Sequence, residues 1–308
     1  MSLNLQYSKV FSIPRKMFKH FLSFWYPIVI KWYPLPKVKS IPETIDKIVE
    51  DNCSICRFGD GELLYMAEKR SLPFQKQDER LRNYFIEILK SEQDKILVGL
   101  PVGYFSLKNL KPKSQLLWRA IIVWTYPRIK PYLLSGKIYY NASMTRPYMD
   151  YADRSHSEKW FKSLMRIWEN RDIVLIEGCK SRLGVGNNLF EKAKSVKRIL
   201  GPAHDAFDQF DSLLNFAKTM PKDSLIMVAM GPTAKPICYE LAKMGYQAVD
   251  IGNLDVEYEW YLQGATEKVK LKGKYTSEAK GGRIVEDIQD EKYEQQIIAT
   301  FLNELSSK

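Results

Sequence analysis

Two apolar runs, Ile173-Val-Leu-Ile and Leu225-Ile-Met-Val-Ala, constrain the fold more than anything else in the chain. A strand with apolar side chains at every position has both faces buried, and that requires helices on both sides of a mostly parallel sheet. The sequence after Pro42 has the matching rhythm, short apolar runs alternating with longer amphipathic stretches. Strands are expected near residues 54–58, 95–100, 137–141, 172–177, 196–200, 225–230 and 248–251. Helices are expected over residues 78–90, 116–124, 158–169, 205–218, 232–244 and 291–305. The predicted fold class is therefore α/β, a single main domain built on an open, mostly parallel, Rossmann-like sheet flanked by helices. In such sheets ligands bind beyond the carboxyl ends of the strands.

Residues 1–40 differ in character from residues 41–308, which hold the domain, a Lys- and Gly-rich loop expected to be mobile (270–282) and a last helix. The apolar stretch from Phe21 to Ile30 is about ten residues, far short of the ~20 that span a bilayer. No small-residue cleavage site follows it. Its aromatics, flanked by Lys and Arg, suit either a segment lying in a lipid headgroup layer or a helix packed on the domain. The 47 Lys and Arg against 36 Asp and Glu leave a net charge of +11, which suits anionic partners. No nucleic-acid recognition motif accompanies that charge, so nucleic acid is set aside. Cys53 and Cys56 make the one C-x-x-C pair, and with only Cys179, Cys238 and three histidines besides there is no zinc ligand set. On a strand their offset of three sends them to opposite faces, which implies reduced, buried thiols in a cytoplasmic protein.

Several loops after predicted strands carry chemistry. Arg57-Phe-Gly59-Asp60-Gly-Glu62 places an arginine and two carboxylates at one strand end. Asp60 and Glu62 can share a hard divalent cation, Mg²⁺ or Mn²⁺, while Arg57 holds a diphosphate. Equally, Asp60 can cap a helix that favours Glu62 through its dipole. Arg182-Leu-Gly184-Val-Gly186-Asn187 offers a glycine turn whose amides can face a phosphate, or a plain turn. Gly231-Pro232-Thr233 opens a helix and leaves N-terminal amides for a nucleotide, or none. Asp255 and Glu257 are candidate general bases, and Arg146, Tyr148 and Asp150 candidate sugar, acceptor or phosphate contacts. Nothing has the pattern of a Ser/His/Asp or Cys/His nucleophile.

These stretches together, in order over roughly residues 41–275, resemble the bacterial glycosyltransferases of the GT-D fold, first catalogued as domain of unknown function 1792. The resemblance implies a metal-assisted transfer of a hexose, of the glucose or galactose class, from a UDP-sugar to a glycan acceptor in surface polysaccharide or glycoprotein synthesis. It makes Asp60 and Glu62 the metal-binding Asp-x-Glu signature. Asn253 departs from the pattern, in which histidine is expected, and this bears on sugar specificity. The chemistry then expected is direct displacement with inversion: Arg57, Arg182 and the metal stabilise the diphosphate, and Asp255 or Glu257 deprotonates the acceptor. The basic aromatic N-terminus would keep the enzyme beside a lipid-linked acceptor on the inner face of a membrane. The competing readings are a metal-dependent nucleotide-sugar hydrolase and a non-catalytic protein that binds membrane surfaces or polyanions.

Overall fold

A computed structural model describes residues 12–303. The chain runs α1 (Ser12–Trp32), β1 (Lys37–Val38), α2 (Ile41–Glu50), β2 (Ser54–Arg57), α3 (Asp60–Glu68), α4 (Glu79–Lys90), β3 (Ile96–Leu100), α5 (Val102–Phe105), α6 (Pro112–Ile129), β4 (Ile138–Asn141) and α7 (Ser157–Met165). It continues through β5 (Asp172–Gly178), β6 (Ser195–Gly201), α8 (Phe210–Ala217), β7 (Leu225–Ala229), α9 (Ala234–Lys243), β8 (Gln247–Asp250), α10 (Leu254–Leu262), α11 (Glu291–Gln296) and β9 (Ile297–Thr300). The described residues form one parallel sheet in the order β1-β4-β3-β2-β8-β7-β5-β6-β9. From β2 the chain winds outward to β3 and β4, then crosses and returns through β7 to β8, directly beside β2. The order reverses at that junction, which is where such a sheet opens a crevice.

Local chemistry sets the boundaries. At the start of α2, Ser40 Oγ accepts from the Glu43 amide at 3.3 Å while Glu43 accepts from the Ser40 amide at 2.8 Å, a reciprocal cap. Asp78 caps α4 by accepting from the Leu81 amide at 2.9 Å. The runs 173–176 and 225–229 form β5 and β7, with Ile173, Leu175, Leu225 and Met227 in the core on one side of the sheet and Val174, Ile176, Ile226 and Val228 on the other. Cys53 and Cys56 divide in the same way, both buried and free.

The structure differs from the expected elements at the C-terminal end and supplies contacts for two further segments. Residues 291–305 do not form one helix: after α11 the β-branched Ile297-Ile-Ala-Thr pairs in parallel with β6 as a ninth strand, and residues 304–308 lie outside the described residues. Of residues 1–40 the described part, residues 12–40, packs on the domain, one of the two arrangements the sequence left open. β1 pairs with β4, Tyr126 Oη donates to the Pro34 carbonyl at 2.7 Å, and Phe18 of α1 meets Trp124 of α6 edge-on at 5.7 Å. Residues 270–282 are an anchored strap: Lys274 is buried, and the Tyr275 amide donates to the Lys180 carbonyl at 2.9 Å. No described helix is long and apolar enough to cross a membrane.

Candidate active site

The carboxyl ends of β2, β3, β4, β5, β7 and β8 open into one cleft of about 500 Å³, which runs along the strand junction. Its floor is Arg57, Asp60, Gly178, Gly231, Lys235 and Asp250. One wall is apolar, with Leu72, Phe74, Leu117 and Trp118, and the strap closes the other with Lys268, Ser277, Glu278 and Arg283. Cavities of this size and mixed lining take nucleotide-sized ligands.

Arg57 holds the floor together. Its Nε donates to the Asp250 carbonyl at 2.6 Å, Nη1 donates to the Ala142 carbonyl at 2.7 Å and to Thr145 Oγ1, and Nη2 pairs with Asp250 Oδ1 at 3.1 Å. Gly252 is required beside it: φ is +45°, and a Cβ there would lie 2.1 Å from Arg57 Nη2. Arg57 thus lines the cleft with its guanidinium largely committed to joining β2, β4 and β8.

The Asp60/Glu62 pair splits. Gly59, the residue before α3, lines the cleft and has no side chain to cap the helix, so Glu62 reaches back to accept from its amide at 2.8 Å. The other Glu62 oxygen accepts from Lys235 Nζ at 2.6 Å. Glu62 is therefore a buried carboxylate with both oxygens engaged by the protein. Asp60, in the first turn of α3, opens into the cleft with no hydrogen-bond partner. The protein wall around it raises its pKa, and the negative charges of Glu278 and Glu62 raise it further against Arg146.

Arg146 and Asp150 both line the cleft. Arg146 makes a bidentate pair with Glu278, at 2.6 and 2.8 Å, and approaches Asp150 at 3.4 Å and Glu257 at 3.7 Å. Glu278 also accepts from Asn253 Nδ2 at 3.0 Å and pairs with Lys268. Burial alone would raise the Glu278 pKa, yet Arg146 and Lys268 hold it well below the usual carboxylate range.

Most of the remaining assignments do not converge on the cleft. After β5 only Gly178, Lys180 and Ser181 face it. Arg182 then adopts φ +50° and turns the chain away, donating Nη1 to the carbonyls of Gly273 and Glu286, each at 2.7 Å. Gly184, Gly186 and Asn187 line a separate hollow beside Tyr293. Asp255 accepts from the Gly184 amide at 2.9 Å, Asn187 Nδ2 at 2.7 Å and Lys274 Nζ at 2.7 Å, so it braces the strap and does not line the cleft. Tyr148 is buried against Tyr261, accepting from Arg154 at 2.8 Å. Gly231 and Pro232 line the cleft, but Thr233 is buried, its hydroxyl at Gln75 Oε1 (3.5 Å). The sequence reading passed over Lys235, Lys268, Glu278 and the Leu117–Trp118 wall. Lys235, a cation inside an otherwise apolar helix start, was the available signal for the first.

Glu257 lies behind Arg146 rather than on the cleft wall. Burial, opposed by Arg146 and reinforced by Asp150, pushes its pKa up to about 7. Its Oε2 accepts from the Met149 amide at 3.0 Å, and Oε1, 3.7 Å from Arg146, has no hydrogen-bond partner. The folded state keeps this proton to about pH 7, whereas the ordinary value is 4.5. Stability is therefore lost as pH rises through that window. Glu257→Gln removes the titration, so the variant is expected to gain on the wild type above pH 7 by up to ~3 kcal/mol. Urea midpoints measured across pH check this; parallel pH curves for the two proteins would refute it.

Residues 55–279 match the family model described as glycosyltransferase GT-D fold. The chain is 39% identical over 268 residues to glycosyltransferase GlyD of Streptococcus pneumoniae serotype 4, and 33% identical over 270 residues to a probable glycosyl transferase Gly of Streptococcus gordonii. Each alignment covers 87% of this chain but only 33% and 39% of the relative, so the chain spans little more than a third of their length. A solved domain of unknown function 1792, described as having a distinct glycosyltransferase fold, superimposes with a TM-score of 0.82 at 34% identity, covering 93% of this chain and 99% of that one. A glycosyltransferase of the same domain class from Streptococcus sanguinis does so with a TM-score of 0.82 at 33% identity, over 86% of this chain and 99% of that one. With the parallel sheet, the junction cleft and the matched residues in agreement, the chain belongs to the glycosyltransferase family of the GT-D fold.

Proposed function

We propose that this domain transfers a hexose of the glucose or galactose class from a UDP-sugar to a glycan acceptor of surface polysaccharide or glycoprotein, with inversion and with a divalent metal. The observation that carries the reading is Asp60, a carboxylate without a hydrogen-bond partner, set at the strand junction in a cleft that also holds Arg146, Lys180, Lys268 and Arg283. Among the described residues no three His, Cys, Asp or Glu side chains gather as a ready metal cage. The donor set fits a cation bound through one protein carboxylate and the phosphate oxygens of the donor, a common arrangement for Mg²⁺ and Mn²⁺. Asp60 would hold it, and its raised pKa, caused in part by neighbouring negative charge, is the potential a cation relieves.

When bound, the metal supplies neutralisation of the leaving diphosphate. The chain's own groups do the rest. Lys180 comes from the turn after β5 and Arg283 from the strap to meet the phosphates, and the first-turn amides of α3 face the same space. Phe74 and Trp118 form an apolar wall for a base or sugar ring. Asp150, whose Oδ1 accepts from Ser114 Oγ at 3.3 Å, is the cleft carboxylate we assign as the acceptor's general base in place of Asp255 and Glu257. The acceptor is lipid-linked and met on the cytoplasmic side of a membrane.

UDP release from UDP-glucose and UDP-galactose, with and without glycan acceptor and with Mn²⁺ or EDTA, tests the reading. Release that needs both acceptor and metal supports it. Release indifferent to acceptor makes the domain a hydrolase, and no release with no thermal shift by either donor ends the transferase reading. Because Asp60 is the one proposed protein ligand, Mn²⁺ titrated calorimetrically should bind weakly to the protein alone and at least tenfold more tightly in the presence of UDP, about 1.4 kcal/mol. Equal affinity in both titrations would refute the single-carboxylate site.

A further inference from the structure

The α1 helix is apolar on two opposite sides. Leu22 is buried, and Tyr26 and Ile30 pack against the core, next to the Phe18–Trp124 contact with α6. On the other side Met17, Phe21, Phe24, Trp25, Ile28 and Trp32 form a stripe at helical spacing, with Phe24 and Trp32 73% and 76% exposed. Helix α1 spans 21 residues, so the stripe is roughly 25–30 Å long. An unbroken apolar stripe of this size on a protein surface marks a docking face.

The distribution of charge says what docks there. Residues 1–42 contain seven Lys and Arg and no Asp or Glu, and residues 95–149, which contribute α6, contain nine and none. The segments hold sixteen of the chain's 47 cations and none of its 36 acids, and their helices α1 and α6 pack on each other. Lys31 is exposed within α1, and exposed Arg128 and Lys130 sit over the rings of Trp124 and Tyr33 at 4.5 and 5.2 Å. Glu68, beside the α1–α6 contact, accepts from Trp124 Nε1 at 2.9 Å. Aromatic rings along one line with cations beside them match an interface of acyl chains below and anionic headgroups above.

We propose that the exposed face of α1, with the basic surface of α6, docks this domain on an anionic lipid bilayer, α1 lying in the headgroup plane. The inference stands apart from the identity of the sugar donor, so failure of the UDP-release assay leaves it intact. It also gives the acceptor side a geometry: Ser114, Leu117 and Trp118 of α6 line the cleft, while Trp124 of the same helix meets α1, so one helix joins the site to the docking face.

Full-length protein co-sedimented with phosphatidylcholine vesicles, with and without phosphatidylglycerol, tests the proposal. Binding is expected to anionic vesicles, weakening with salt. Phe24→Ser with Trp32→Ser should weaken it by roughly tenfold or more, the effect of losing two buried aromatic side chains, while thermal unfolding stays unchanged because both are exposed. Lys31→Glu should cost at least about fivefold. Equal binding to neutral vesicles, no vesicle binding, or binding untouched by the aromatic changes would overturn the proposal. So would sedimentation equilibrium showing a dimer that the aromatic changes convert to monomer, since the stripe would then be an interface between copies.

Discussion

Asp60→Asn is expected to lower transferase turnover by about 10²–10³-fold while leaving the unfolding midpoint within ~0.5 kcal/mol of wild type. The carboxylate opens into the cleft and has no hydrogen-bond partner to lose, so the folded state gives up little when it goes. What disappears is the charge that would meet a cation at the diphosphate. Glu62→Gln should behave in the opposite sense, because Glu62 is buried with one oxygen on the Gly59 amide and the other on Lys235. Its amide retains one acceptor and leaves Lys235 with less neutralisation, so stability should fall by about 1–3 kcal/mol and activity should follow the folded fraction. Parallel measurement of kcat and urea midpoint for both variants separates the roles. If Glu62→Gln lost turnover as steeply as Asp60→Asn at full stability, the two residues would act as a shared metal pair after all.

That division of labour shows where sequence reasoning reached its limit. The parallel sheet was legible because burial on both faces writes itself into runs such as Ile173–Ile176, and the carboxyl-edge location of the cleft follows from sheet geometry alone. Gly59, Asp60, Arg146, Asp150, Gly231 and Pro232 all line the cleft, although Arg146 and Asp150 lie well beyond the end of β4. Sequence distance from a strand end therefore does not decide which loop residues face the cleft. By Gly184 the loop after β5 has turned at Arg182 and run behind α10, where its amide and Asn187 satisfy Asp255. Spacing cannot reveal that turn, because φ +50° at an arginine is a tertiary outcome that a residue type does not announce. Glu278 was invisible for a related reason. It lies in a Lys- and Gly-rich segment that reads as a free loop until Arg146 and Lys268 are seen to hold it. The last strand was lost to length, since Ile297–Thr300 is too short for periodicity to separate strand from helix end.

Lys235→Met should be the most destabilising single change at the site, costing about 3–5 kcal/mol, a large part of the 5–15 kcal/mol that holds a typical domain together. Lys235 is buried at the start of α9 and pairs with Glu62 at 2.6 Å and Asp250 at 3.4 Å, with a further bond to the Gly231 carbonyl at 3.0 Å. Burial opposes its charge, but the two carboxylates outweigh that and raise its pKa, so the ammonium persists through neutral pH. Methionine fills the volume and leaves two buried negative charges with reduced compensation, Asp250 keeping Arg57 and the Gly252 amide and Glu62 the Gly59 amide. The cost should therefore be conditional on Glu62. In the Lys235→Met, Glu62→Gln double variant one of the stranded charges is gone, and the loss should be smaller than the sum of the single changes by at least ~1 kcal/mol. Strict additivity in urea unfolding would mean that the pair contributes packing alone. Coupling would mean that the starts of α3 and α9, on either side of the β2–β8 junction, are held in register by one cation, and that the position of Asp60 in the cleft depends on a lysine whose ammonium is committed to the protein.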